Sequence, residues 1–322
     1  MKKQLEASLR QGVSFLSKKQ HLSGEFSTRV WEKFKINDNS YVKTLFPTSF
    51  VLHSLKHVEK YVQVEKIVQR AAKFLLGEME ENGLWRFYGK KSYIHFDLDT
   101  TCCILASLKE WCVDLDFEVL SFNLLKYRNA KSIFDTWILD VYPPFEKKDN
   151  NVDWVVNANV LFFYSLLDLC LPGVEQYLNR VVETETFKQR SPYYDSPFCF
   201  IYCLTRAYAD GRNPKLSPAI AKIKNYLLSF KEENKLHDDV LESALATVGI
   251  LNCGGDVTDA LPAIEYLLSM QKNDGGWPMG IFFTGGPYTE YRIEYGSEEL
   301  TTAIALEAIS KYVGKLRGRI TK

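Results

Sequence analysis

Two kinds of apolar segment alternate along this chain. Six stretches, at 47–58, 99–112, 154–170, 196–209, 239–252 and 299–313, are rich in Leu, Ala, Cys, Phe or Ser and carry few charges. A helix that is apolar on nearly all sides has to be buried on nearly all sides. Six further segments, near 4–20, 59–80, 116–131, 173–187, 215–232 and 257–272, repeat apolar residues at helical spacing and place Lys, Glu and Gln on the opposite face. Those belong on the outside. Turn signals such as Asn82-Gly83, Asp210-Gly211, Gly254-Gly255 and Asp274-Gly275-Gly276 separate the segments. Twelve helices alternating outer and inner predict an all-α (α/α)6 barrel, a single domain over residues 1–322, and strand signals are close to absent.

Composition narrows the function classes. The 322 residues contain 40 Lys plus Arg against 40 Asp plus Glu, with no long basic run, which argues against a nucleic-acid partner. Seven cysteines is an odd number, several fall within the apolar stretches (Cys102, Cys103, Cys170, Cys199, Cys203), and none shows metal-ligand pairing. They read as reduced core residues of a cytoplasmic protein. The first ten residues are charged throughout and lack a signal core, and no later stretch has the apolar length of a membrane span. Peripheral contact with a membrane surface stays open.

Three copies of one pattern recur along the chain. Gly12-Val-Ser-Phe15-Leu16-Ser-Lys-Lys-Gln20-His-Leu-Ser-Gly24-Glu-Phe26 returns as Ala72-Lys-Phe74-Leu75-Leu-Gly-Glu-Met79-Glu-Glu-Asn-Gly83-Leu-Trp85, and again as Ala263-Ile-Glu-Tyr266-Leu267-Leu-Ser-Met-Gln271-Lys-Asn-Asp-Gly275-Gly-Trp277. Each copy is a helix end, a glycine turn and an aromatic.

The most chemically charged stretch is Asp97-Leu98-Asp99-Thr100-Thr101, which heads an inner helix directly after Tyr93-Ile94-His95-Phe96. A carboxylate aimed into an apolar space loses hydration, so its neutral form gains and its pKa rises; a like charge two residues away pushes the same way. One of the pair can then hold its proton at neutral pH. Helix capping explains part of the same spelling, since aspartate is a good N-cap and Asp99 fills that place if the helix starts at Thr100.

The three repeats resemble the QW motif of triterpene and class II terpene cyclases, with Phe26 in place of a tryptophan and Met79 in place of a glutamine. In such a motif the glutamine amide can bond helix-end groups of the neighbouring hairpin while the ring packs across the turn. Asp97-Leu98-Asp99-Thr100-Thr101 resembles the DxDD acid motif of squalene-hopene and class II diterpene cyclases, and more closely the DxDTT variant of bacterial drimenyl diphosphate synthases. The resemblance implies a protonation-initiated terpene cyclase in which Asp99 is the general acid and Asp97 its charge-coupled neighbour. Thr100 stands where the commoner motif has a further aspartate, which favours a linear prenyl diphosphate such as farnesyl or geranylgeranyl diphosphate over squalene-type substrates. No organic cofactor is implied.

Carbocations are stabilised by aromatic faces where a base would quench them. Trp85, Tyr93, Phe96, Trp154, Tyr193, Tyr194, Phe282 and Tyr291 are the candidate substrate-binding residues, core packing being the competing role of each ring. Acidic residues at other inner-helix starts, Asp153, Asp238, Asp239, Glu298 and Glu299, are accounted for singly by capping and the helix dipole. Converging on one mouth, Asp238, Asp239 and Glu298 could hold Mg²⁺ with substrate phosphate oxygens. Protein prenyltransferases share the barrel and bind zinc through Asp, Cys and His, but no cysteine here sits near both other types at an inner-helix mouth, so no zinc is expected. His95 could orient Asp99 if that stretch is helical, and His237 precedes two aspartates.

Relatives usually place the site between two barrels, and this chain makes one. Either residues 278–296 fold over the mouth as a lid, or a homo-oligomer or second subunit closes it. Two other classes remain open: a non-catalytic isoprenoid-binding or partner protein, and a carbohydrate-active (α/α)6 hydrolase or lyase.

Overall fold

The computed structural model describes residues 1–32, 41–139, 150–232, 239–285 and 293–320. Among them are twelve α-helices in strict alternation. The inner set is α2 (Phe46–Val58), α4 (Leu98–Glu110), α6 (Trp154–Ser165), α8 (Pro197–Ala209), α10 (Val240–Asn252) and α12 (Glu298–Ile320). The outer set is α1 (Lys2–Lys19), α3 (Glu65–Gly77), α5 (Phe117–Leu124), α7 (Pro172–Glu183), α9 (Ser217–Glu232) and α11 (Val257–Met270). Each inner helix packs on the next, and α12 packs on α2 to close the ring. The result is an all-α toroid.

Burial follows composition. Every residue of α6 from Val155 to Ser165 is buried, as is every residue of α4 from Leu98 to Leu108. Outer α3 instead buries a stripe, Ile67, Val68, Ala71, Ala72, Phe74 and Leu75, at the spacing of one helical face.

The repeats are hairpin fasteners. Gln20 donates through Nε2 to the carbonyl of Gly24 at 2.8 Å and to that of Ile67, in α3, at 3.0 Å. Gln271 does the same to Gly275 at 2.9 Å and to Ser8, in α1, at 3.1 Å. Each amide thus ties one turn to the next outer helix. The Trp85 and Trp277 indoles donate to the carbonyls of Leu75 and Leu267, both at 2.7 Å. The backbone N–H groups of Phe26, Trp85 and Trp277 donate to the hydroxyls of Thr48, Thr101 and Thr302 at 3.1, 3.2 and 3.0 Å. The last threonine of Asp97-Leu98-Asp99-Thr100-Thr101 is therefore an anchor for a turn. Glycine is required at Gly24 and Gly275, whose φ values are +113° and +94° and where a Cβ would sit 2.2 and 2.4 Å from backbone oxygens of Arg70 and Gln11.

Strands are present where the sequence pattern showed almost none. β1 (Thr28–Glu32) and β2 (Tyr41–Val42) lie between α1 and α2, β3 (Phe96–Asp97) and β4 (Trp137–Ile138) flank α4 and α5, and β5 (Gly280–Thr284) and β6 (Ile293–Ser297) lie between α11 and α12. They form an antiparallel sheet of order β2-β1-β6-β5 and a two-stranded pair, β3-β4. The segment 278–296 is consequently a hairpin of a sheet for its described part, and 286–292 fall outside the described residues. These strands are two to five residues long, too short for a period-two pattern to register.

Other details differ from expectation. α6 ends at Ser165, so Cys170 is exposed beyond it, while Cys102, Cys103, Cys199 and Cys203 are buried, and all seven cysteines are free. No helix is long and apolar enough among the described residues to cross a membrane.

Candidate active site

The N-termini of the inner helices open on a cavity of roughly 300 Å³ bounded by described residues. Phe46 from the start of α2, Asp97, Asp99 and Thr100 from α4, Tyr193 and Tyr194 from the approach to α8, and Phe283 and Tyr295 from β5 and β6 all face it.

Asp97 is the N-cap of α4, its Oδ1 accepting from the Thr100 N–H at 2.6 Å. Capping therefore falls to Asp97, and Asp99, in the first turn, is released for other work. Asp99 Oδ1 accepts from Asn159 Nδ2 at 2.7 Å, and the Tyr194 hydroxyl donates to Oδ2 at 2.5 Å. Arg206 fixes which end of the Asn159 amide faces the acid, because its Nη2 donates to Asn159 Oδ1 at 2.7 Å and only the NH₂ end remains for Asp99. The Arg206 guanidinium is itself buried, with its Cζ 4.8 Å from the Phe50 ring centre and 4.5 Å from that of Phe162.

A second buried aspartate sets the tyrosine. Asp153, the N-cap of α6, accepts from Val155 and Val156 N–H with Oδ1 and from the Ser191 hydroxyl and Tyr193 N–H with Oδ2. Ser191 in turn accepts from the Tyr194 N–H at 3.1 Å. The loop carrying Tyr194 is thereby clamped to α6, the helix that carries Asn159.

Burial pushes the Asp99 carboxyl up to about 7; the hydrogen bonds from Tyr194 and Asn159 and the charge of Arg206 pull against it, and Asp153 pushes with it. Burial also pushes Asp97 up to about 7, with the charge of Asp99 adding to it, and Asp97 Oδ2 is buried without a hydrogen-bond partner. Two such carboxyls titrate as a coupled pair, and the pair retains a proton close to neutrality. Because Asp99 sits at about 7 against an ordinary value of 3.8, the folded state binds the extra proton, and stability from this group falls as pH rises from about 4 to about 7. The unfolding free energy of Asp99→Asn should hence fall less than that of the native chain across that window, as urea titrations at stepped pH would measure. An equal slope would show that Asp99 is not raised.

Nine of the twenty lining residues are aromatic: Phe46, Phe87, Tyr88, Tyr93, Trp137, Tyr193, Tyr194, Phe283 and Tyr295. That composition suits an apolar ligand with developing positive charge. Rings brace one another across the wall: Phe283 stacks on Tyr295 with centroids 4.9 Å apart, and the Trp137 indole donates to the Tyr193 hydroxyl at 2.6 Å. Asn150 holds Trp137 by accepting from its N–H at 2.9 Å and donating to its carbonyl at 2.7 Å.

Of the rings singled out from sequence, Tyr193, Tyr194 and the rim residue Tyr93 line the cavity. Trp85, Phe96, Trp154 and Phe282 do not. Trp85 is locked in its turn, Phe96 lies under the Arg86 guanidinium at 3.9 Å, Trp154 packs against the core, and Phe282 sits behind the wall with its edge toward Tyr194 at 5.8 Å. Tyr291 lies outside the described residues. Phe87, Tyr88, Trp137 and Asn159 were not singled out; Asn159 was visible as a lone amide inside the apolar run of α6. His95 lines the cavity before β3 rather than on a helix with Asp99, and burial lowers its pKa. His237 lies outside the described residues.

Two of the acids considered for Mg²⁺ are among the described residues. Asp239 caps α10 by accepting from the Glu242 N–H, Glu298 is ion-paired with Lys272 at 2.7 Å, and neither belongs to a cluster of three or more candidate ligands among the described residues. Asp238 lies outside the described residues.

No protein-family model matches the sequence. A drimenol cyclase from Aspergillus calidoustus is 26% identical over 216 residues, which is 66% of this chain and 38% of that protein, so the chain spans under half of that relative's length. The solved type II terpene cyclase MstE from Scytonema superposes with a TM-score of 0.75 at 16% identity, covering 97% of this chain and 99% of that one. A variant of MstE is known in complex with its substrate, geranylgeranyl dihydroxybenzoate. An α-amylase from Clostridium perfringens superposes with a TM-score of 0.63 at 13% identity, covering 95% and 98%. Similarity at these identities concerns the fold; the sequence relative and MstE together support the resemblance to class II terpene cyclases.

Proposed function

We propose that this chain, similar to class II terpene cyclases in sequence and fold, is a protonation-initiated cyclase of a linear isoprenoid. The observation that carries the reading is a buried carboxyl, Asp99, with a pKa near 7, opening on an aromatic cavity and holding two donors suited to its charged form. Asp99 gives its proton to the CH carbon of the terminal, dimethyl-substituted alkene of the substrate. The other alkene carbon becomes a tertiary cation, the next double bond attacks it to close a ring, and a final proton loss, directly from carbon or from captured water, restores neutrality. Negative charge grows on Asp99 as the proton leaves, and the N–H of Asn159 and the O–H of Tyr194 strengthen toward it, so they favour the transition state over the ground state. The ring faces of Phe283, Tyr295 and Tyr193 stabilise the cation without removing a proton from it.

The acidic motif favours a prenyl diphosphate, farnesyl or geranylgeranyl, as the substrate. A neutral head group is the second reading, since no Lys or Arg is among the described lining residues. Incubating the purified chain with each diphosphate, with and without Mg²⁺, with the corresponding prenyl alcohols and a prenylated benzoate, and with oligosaccharides separates these readings. A cyclic isoprenoid supports the proposal and its head group identifies the class. Binding without turnover would leave an isoprenoid carrier, and sugar release would overturn the proposal.

Tyr194→Phe tests the hydrogen bond to the acid. Losing that donor weakens stabilisation of the ionised carboxyl, so the Asp99 pKa rises further and the acid becomes weaker. The turnover rate should drop about tenfold while the alkaline limb of the pH–rate profile moves upward. A fall in rate with an unmoved limb would assign Tyr194 to packing alone.

A further inference from the structure

At the far ends of the inner helices a second polar cluster is built into the barrel core. Asp99 and Glu110 lie on the same helix eleven residues apart, about 16 Å along its axis at the helical rise. Around Glu110 gather His53 and His57 of α2, Asp210 at the C-cap of α8, and Glu307 and Lys311 of α12. His53 and His57 are four residues apart and share one helical face.

Four side-chain atoms of this cluster converge. His53 Nε2 is 3.9 Å from Asp210 Oδ2 and 3.7 Å from Glu307 Oε1; His57 Nε2 is 3.6 Å from Asp210 Oδ2 and 3.8 Å from Glu307 Oε1. These separations are too long for hydrogen bonds, and His53 Nε2, His57 Nε2 and Glu307 Oε1 are buried atoms without a hydrogen-bond partner. His53 is 1% and Glu307 0% exposed, so solvent does not satisfy them either. All four atoms lie within 4.8 Å of one another, and ligand atoms about 2.0–2.2 Å from a tetrahedral Zn²⁺ stand about 3.4 Å apart, close to the four separations above.

The surroundings are those of ligands held in place. Glu110 accepts from His53 Nδ1 at 2.8 Å, so that once the imidazole is neutral its lone pair stands on Nε2. Ser54 and Tyr202 donate to Glu307 Oε2 at 3.0 and 2.9 Å and leave Oε1 facing the centre. Lys311 bridges both oxygens of Asp210 at 2.8 Å. Glu110, Asp210 and Glu307 gather three carboxylates around one lysine, Lys311, an excess of negative charge that holds His53 protonated without a metal and that a divalent ion on neutral imidazoles would balance.

We propose that His53, His57, Asp210 and Glu307 bind a divalent transition metal, Zn²⁺ by their two-nitrogen, two-oxygen donor set, as a structural cross-link between α2, α8 and α12. The expectation of no zinc rested on cysteine ligands at the barrel mouth, whereas this site uses none and lies at the other end. His57 and Asp210 stand at its more accessible edge, with side chains 18% and 16% exposed.

The test is metal binding by the intact chain after dialysis against a chelator. Titration with Co²⁺ should give about one equivalent bound with the visible absorption of a four-coordinate nitrogen and oxygen site, displaced by Zn²⁺, together with a higher melting temperature. His57→Gln, at the accessible edge, should weaken Co²⁺ binding at least about tenfold, the loss expected for a disturbed ligand set, while keeping the native circular dichroism. Glu307→Gln provides a second ligand change with the same expected direction. Substoichiometric binding, unchanged affinity in both folded variants, or a near-ultraviolet thiolate charge-transfer band placing Co²⁺ on a cysteine would each overturn the assignment. None of these readouts depends on cyclase turnover.

Discussion

Asp99→Asn should abolish cyclisation, by about 10³-fold or more, and leave the fold intact. Asparagine has nearly the same shape and remains neutral at every pH, so its Oδ1 can accept from Asn159 and its NH₂ can donate to the Tyr194 oxygen. The helix cap is untouched because it belongs to Asp97. What disappears is the transferable proton. Above pH 7 the variant should melt no lower than the native chain, since a buried carboxylate has been replaced by a neutral group. Product analysis alongside thermal melts at pH 6 and pH 8 checks both halves, and a folded variant that still cyclises would remove Asp99 from the mechanism.

Trp277→Ala should have the opposite signature, a large loss of stability with turnover per folded molecule preserved. The indole is wholly buried, spans the hairpin between α11 and α12, and donates to the Leu267 carbonyl at 2.7 Å. Truncating a buried tryptophan costs about 3–5 kcal/mol, and the orphaned carbonyl adds to the loss. Trp277→Phe should keep most of the packing and lose chiefly the hydrogen bond, at about 0.5–1.5 kcal/mol. Urea unfolding of the three proteins gives the series; equal midpoints for native chain and alanine variant would show that the turn is not a keystone. Trp277 lines no part of the cavity, which is why kcat should hold.

The two aspects of the molecule were unequally visible in its sequence. Helix order was written plainly, because an inner helix such as α6 must be apolar around its whole circumference and an outer one such as α3 only along a stripe. The turns were visible because glutamine, glycine and tryptophan recur at fixed spacing, although the threonines that receive them, Thr48, Thr101 and Thr302, recur too far away to be noticed as partners. Asp99 was marked by its neighbours, but its own partners, Asn159 and Tyr194, lie 60 and 95 residues on, and only the ring closure brings them in. Choosing rings by proximity to inner-helix starts picks out Tyr193 and Tyr194, which line the cavity, and Phe282, which does not: the register of β5 shifts between Ile281 and Phe283, and it is Phe283 that meets the cavity. The histidine cluster was hidden for a related reason: His53, Glu110 and Glu307 are isolated polar letters in apolar helices, and their meaning lies in the convergence of three of those helices.

The central claim, that a proton from Asp99 starts ring closure, is tested most directly by carrying out the reaction in D₂O and locating the label. The account predicts a cyclic product bearing deuterium at the carbon that was the CH of the terminal alkene, formed by the native chain and absent with Asp99→Asn. A cyclic product without solvent-derived deuterium at that carbon would mean that ring closure begins some other way.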